Sequence, residues 1–183
     1  VRLHRRRRLV ALLALAAPLG AAREALAVEH EQAISLGAGA SILDVSAKGS
    51  ADVGAGGAFA YTYGISDAFN FMAEASWSVV ALGETVHDAP TMVSSLNAGV
   101  AYVFDVVRWV PYAGLLLGTC VMSGGGAGDF KIAPEAALAL GFDYRFDRSW
   151  AAGVAVRQYF FTDAGTYPSY TQAFARVEYF WGW

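Results

Sequence analysis

Residues 170–183 read YTQAFARVEYFWGW, and their pattern repeats every second residue. Counting back from the end, Trp183, Trp181, Tyr179, Val177, Ala175 and Ala173 fall on one face, and Phe180, Glu178, Arg176 and Gln172 on the other. An apolar face alternating with a charged one marks a β-strand whose two sides meet different surroundings.

The opposite end of the chain has a different character. His4 to Arg8 is basic, Leu9 to Ala22 is an apolar run of 14 residues, and Ala25-Leu26-Ala27 is an A-x-A cleavage pattern. These features predict a secretory signal peptide over 1–27, since the run falls short of the roughly 20 residues that a spanning helix needs. The remaining 28–183 form one unit. Without the leader the 13 basic residues fall to 7 and the 16 acidic ones to 15, a formal charge of −8. So acidic a body has no basic patch for nucleic acid. One cysteine, Cys120, excludes an internal disulfide framework and reads as a small strand residue.

The whole chain is 56% hydrophobic, yet beyond the leader no apolar run is long enough for a spanning helix. The body instead consists of segments of Gly, Ala, Val and aromatic residues, divided by Asp, Ser, Gly and Pro. Eight strands are predicted, at 32–42, 53–64, 69–80, 93–104, 112–122, 131–146, 150–160 and 170–183. Breaks after the second, fourth and sixth strands are short, and those after the odd-numbered strands are mostly longer. Around the short breaks, Asp67, Asp105 and Asp147 recur about 40 residues apart between aromatics. Residues such as Tyr61, Tyr63, Phe69, Tyr102, Trp109, Tyr144, Trp150 and Tyr179 thereby collect at one end, as in an interfacial aromatic girdle.

The distribution of charge chooses between a soluble and a lipid-facing barrel. One parity of every strand is free of ionisable residues: Ile34-Leu36-Ala38-Ala40-Ile42 in the first, Ala113-Leu115-Leu117-Thr119-Val121 in the fifth. The other parity holds Asn70, Glu74, Ser76, Asn97, Glu135, Asp143, Arg145, Arg157, Gln172, Arg176 and Glu178 among Gly and Ala. Large apolar residues outside and charges with small residues inside fit an all-β, eight-stranded antiparallel up-and-down transmembrane barrel, because a charge facing the bilayer midplane costs about 2–4 kcal/mol. The fifth strand departs from the rule, with Leu116 and Met122 on its polar parity.

The leader, eight alternating segments, short turns on one side and terminal aromatic resemble the small eight-stranded outer-membrane barrel family of the OmpA and OmpX type. The resemblance covers residues 28–183 by pattern more than by residue motif. It implies residence in a Gram-negative outer membrane with both termini periplasmic, contact with outer-membrane lipid and lipopolysaccharide, and a monomeric state. It also implies that barrel-assembly machinery reads Val177, Tyr179, Trp181 and Trp183 as an assembly signal.

Interior side chains of an eight-stranded barrel usually fill it. Glu74, Arg157 and Arg176 fall near mid-barrel, with Glu178 and Glu135 below and above, and an internal ion-pair network of these five is expected. A structural or surface-interaction role with a plugged interior follows, the alternatives being a narrow passive pore and a lipid A-modifying enzyme. For the enzyme, only His87 with Asp88 and Ser94 or Ser95 could be drawn as a triad, and His87 sits in a Pro-containing loop; no enzyme is expected. His30, His87 and Cys120 lack metal-ligand spacing, and the Gly-rich stretches lack a phosphate-loop ending, so neither metal nor cofactor is expected. Asp44, Asp52, Glu84, Asp88, Asp129 and Asp163 are placed in or beside the long loops, either solvating the outer surface or recruiting divalent cations.

Overall fold

A computed structural model describes residues 30–45, 50–80, 92–104, 108–124, 131–162 and 169–182. The predicted leader lies outside the described residues, as do Asp105, His87 and Trp183. The described residues form eight strands: β1 (Gln32–Val45), β2 (Ser50–Gly64), β3 (Phe69–Val79), β4 (Met92–Val103), β5 (Trp109–Ser123), β6 (Lys131–Arg145), β7 (Trp150–Phe161) and β8 (Tyr170–Trp181). Each strand pairs antiparallel with the next. β8 returns to β1 from Gln32 opposite Trp181 to Leu43 opposite Tyr170, which closes the barrel and leaves no sheet edge.

Strand ends differ from expectation by up to three residues: β1 runs on to Val45 instead of 42, β2 starts at Ser50 instead of 53, and β5 at Trp109 instead of 112. Pro111 was expected to end the connection, yet it sits inside the ladder opposite Phe142 and its carbonyl accepts the Phe104 amide at 2.8 Å. Trp109 secures the extension by lying against the rings of Phe142 and Tyr144, at centroid distances of 5.0 and 4.6 Å. In the turn after β6, Asp147 Oδ1 accepts the amides of Ser149 at 2.7 Å and Trp150 at 2.9 Å. After β2 that place is taken by Ser66, whose hydroxyl accepts the Phe69 amide at 3.2 Å.

Side-chain parity follows the predicted faces. Leu115 and Leu117 are 65% and 70% exposed on the outer wall, whereas Glu74 and Arg157 are 3% and 1% exposed within. The barrel is thus inverted relative to a water-soluble one. On the outside near the short turns, rings meet in sequence: Phe69 with Tyr102, Tyr102 with Phe104, Trp150 with Tyr179, and Tyr179 with Trp181.

Candidate functional site

The lumen is the only described place where charged side chains converge out of solvent, and it divides into three levels. The middle level is built around Arg157 of β7 and Glu74 of β3. Arg157 Nε donates to Glu74 Oε1 and Oε2 at 3.0 and 2.9 Å, and Nη2 to Oε2 at 2.7 Å. The remaining guanidinium capacity goes to Tyr112 Oη at 3.2 Å and to the Leu140 and Val156 carbonyls at 3.3 and 3.2 Å. A buried charge pair is tolerable only when its other hydrogen-bonding positions are filled, and here they are. Tyr159 extends the network, donating to Gln172 Oε1 at 3.0 Å and lying 3.1 Å from Ser76 Oγ.

The level nearer the short turns is centred on Arg176 of β8. Its chief partner is Asp143 of β6, which accepts from Nε at 2.9 Å and also from Nη2; Glu178 receives only a longer bond of 3.4 Å. At the mouth, Arg145 Nη2 donates to Glu31 at 2.5 Å, and its guanidinium lies 4.0 Å from the Phe180 ring centroid. Tyr112 joins the two levels: its ring stands 4.7 Å from the Arg176 guanidinium and its hydroxyl holds Arg157. That ring lies over Gly141, where a Cβ would come within 2.1 Å of Tyr112 Cε1.

Of the five residues expected to form one network, the structure brings together Glu74 with Arg157 and Arg176 with Glu178. Glu135 stands apart from both arginines. It accepts from Asn97 Nδ2 at 2.7 Å across Gly118, toward the long-loop end, because its position on β6 lies above the Arg157 level. Sequence reading placed Asp143 on the charged face but missed it as a partner, and missed Tyr112 as the bridge. The signal for Asp143 was present in the register. Asp143, Gly153 and Arg176 are direct neighbours on β6, β7 and β8, and the glycine leaves nothing between the two charges.

The third level, toward the long connections, is largely apolar on the inside, with Asp52, Ser41 and Ser78 as its buried polar members. Leu43, Val80, Val93, Met122, Phe161 and Tyr170 are all buried in one cluster, with Tyr170 Oη 2.5 Å from Ser78 Oγ. Met122, the exception in the alternation, belongs to this layer. Asp52 corrects another expectation: instead of lying in a loop it is paired with Leu43 inside β2 and is buried facing the lumen. Asp44, at the end of β1, accepts from the Ser169 hydroxyl. Glu84, Asp88, Asp129 and Asp163 lie outside the described residues. His30 is bonded to Tyr63, Nδ1 to Oη, at 2.7 Å. Cys120 is buried just below the apolar layer. The three levels leave a cavity of about 50 Å³ at the short-turn end and one of about 10 Å³ beside Glu74 and Arg157.

This architecture is that of small eight-stranded outer-membrane β-barrels. Neisserial surface protein A is similar over 86% of this chain and 99% of its own, at 17% identity and a TM-score of 0.64. Ail, the attachment invasion locus protein of Yersinia pestis, is similar over 84% and 100%, at 15% identity and 0.59. The N-terminal β-barrel domain of OprF from Pseudomonas aeruginosa is similar over 84% and 98%, at 12% identity and 0.57. No protein-family model and no curated protein matches the sequence.

Proposed function

We propose that this chain is an integral barrel of a Gram-negative outer membrane, with a structural or surface-interaction role and a lumen that does not conduct. The observation that carries the reading is the inverted wall: leucines exposed on the outside at mid-barrel, and paired arginines and carboxylates buried at the same height. Lipid is the surrounding that makes both faces favourable, since hydrocarbon accepts the leucines and the closed ladder leaves no strand edge unpaired. The short turns and both termini face the periplasm in this reading, and the aromatic rings at that end sit at the headgroup level.

A role at the surface draws support from the fold shared with a Neisserial surface protein and with an attachment invasion locus protein. No catalytic role is assigned. Non-conduction is argued from the stacked charge pairs and the apolar layer above them; the cavity that adjoins Glu74, Arg157 and Arg176 has about 10 Å³. Reconstitution of the folded protein into a planar bilayer tests this. Insertion without current is expected, and steady single-channel steps would establish the narrow pore instead.

A further inference from the structure

Glu135 is buried in the lumen without an arginine. Glu31 is paired with Arg145, Glu74 with Arg157, and Asp143 and Glu178 with Arg176. Glu135, 4% exposed, has instead one bond from the Asn97 amide, Nδ2 to Oε1 at 2.7 Å. Around that bond three oxygens have no hydrogen-bond partner: Glu135 Oε2, Asn97 Oδ1 and Ser95 Oγ, all on residues more than nine-tenths buried. Glu135 lies across Gly118 from Asn97, and Asn97 Oδ1 stands over that glycine, where a Cβ would fall 2.4 Å from it. The titratable side chains within electrostatic reach of Glu135 are Glu74 of β3, Cys120 of β5, Tyr159 of β7 and Tyr170 of β8, and none of these brings a positive charge.

An ionised carboxylate and an amide oxygen are both acceptors, and side by side out of water they need a hydrogen between them. We propose that Glu135 is held as a neutral carboxylic acid, its Oε2 hydroxyl donating to Asn97 Oδ1 while Asn97 Nδ2 donates to Oε1. Acid and amide then close a ring of two hydrogen bonds. The Ser95 hydroxyl cannot replace that proton: it has one hydrogen to give, and giving it to either oxygen leaves the other bare. With the proton in place Ser95 donates to Oε2 in turn, and all three oxygens are satisfied. The neutral form also suits a position just below the apolar layer of Val93, Met122 and Phe161, where a charge without a counter-ion is most costly. The assignment stands whether or not the lumen conducts.

Infrared spectra of the folded barrel in lipid vesicles, at neutral pH in heavy water, test the protonation state directly. The difference between wild type and E135Q is expected to contain a carboxylic-acid C=O stretch that the variant lacks. Loss of carboxylate bands alone would overturn the proposal and would fit a water bridging the three oxygens instead. N97A removes the partner, so the acid band is expected to move to higher frequency or to disappear; a band that stays in place would overturn the ring. Should either variant fail to fold, carbon-13 NMR of the wild-type barrel labelled at the glutamate side-chain carboxyls decides. A Glu135 carboxyl with the shift of an acid and a through-space contact to the Asn97 amide supports the assignment, and the shift of a carboxylate rejects it.

Discussion

Arg176 and Asp143 do not lie on neighbouring strands; they meet across Gly153 of β7, two hydrogen-bonded ladders apart. The same device places Asn97 against Glu135 across Gly118. A glycine on the intervening strand lets two long polar side chains span three strands inside a narrow barrel, and the lumen is held together by such bridges as well as by its backbone.

A methyl group at position 153 should therefore cut the bridge. Its Cβ would fall 2.3 Å from Asp143 Oδ1 and 2.2 Å from the Phe142 carbonyl oxygen, so both the charge pair and the backbone must give way. Removing one partner of a buried pair costs about 3–5 kcal/mol, and G153A is expected to approach the lower end of that range. A double-mutant cycle with D143A, read by urea unfolding in lipid vesicles, separates the two causes. Part of the G153A cost should disappear in the D143A background. Strict additivity would mean that only the backbone clash is felt.

The middle pair should behave as a unit. R157Q leaves Glu74 buried with little more than a weak Tyr159 contact at 3.4 Å, and E74Q leaves Arg157 with neutral partners only. Each single change is expected to destabilise by about 3–5 kcal/mol, and the double change by less than the sum. Unfolding midpoints of R157Q, and of R157Q combined with R176Q, indistinguishable from wild type would show that the charges contribute nothing to holding the lumen.

Cys120 is a built-in reporter of the apolar layer. It lies beneath Met122 on the same face of β5 and is fully buried. A small cationic, membrane-impermeant thiol reagent should label the wild-type protein very slowly. Shortening Met122 and Phe161 together to Ala removes two of the side chains closing the lumen from the long-loop end. The labelling rate should then rise by about tenfold or more, as local opening becomes easier. An unchanged rate would mean that the seal lies elsewhere.

Much of the barrel was legible from alternation because each strand divides two solvents. Leu36, Leu96, Leu115 and Leu117 all stand out on the exterior, and the parity that places them also places Glu74, Arg157 and Arg176 within. Height along the barrel was harder to read. Leu43, Val93, Met122 and Phe161 occupy the polar parity yet form an apolar layer, because the interior changes character along its axis and alternation reports only inside against outside. Partner choice was hidden for a related reason. Glu135 and Arg157 share a face, but the register of β6 against β7 sets Glu135 opposite Phe161 and Ala139 opposite Arg157. Asp143 became visible as the partner of Arg176 only once that register carried it to Gly153.

The last strand joins closure of the barrel to the proposed assembly signal, and the two can be pulled apart. Trp181 pairs with Gln32 across the closing seam and lies 6.4 Å, centroid to centroid, from Tyr61; Tyr179 lies 4.9 Å from Trp150 and pairs with Ile34. Alanine at both positions removes exterior ring contacts, of about 0.5–1.5 kcal/mol per pair, and leaves the ladder and the lumen untouched. If Tyr179 and Trp181 serve only as an interfacial anchor, the variant should fold in detergent with a modestly lower midpoint and assemble in cells nearly as well as the wild type. If they are also read during assembly, folding in detergent should survive while the heat-resistant folded form disappears from cell envelopes. We expect the second outcome. Normal assembly of the double variant, together with that of a chain lacking residues 181–183, would leave β8 as a closing strand and nothing more.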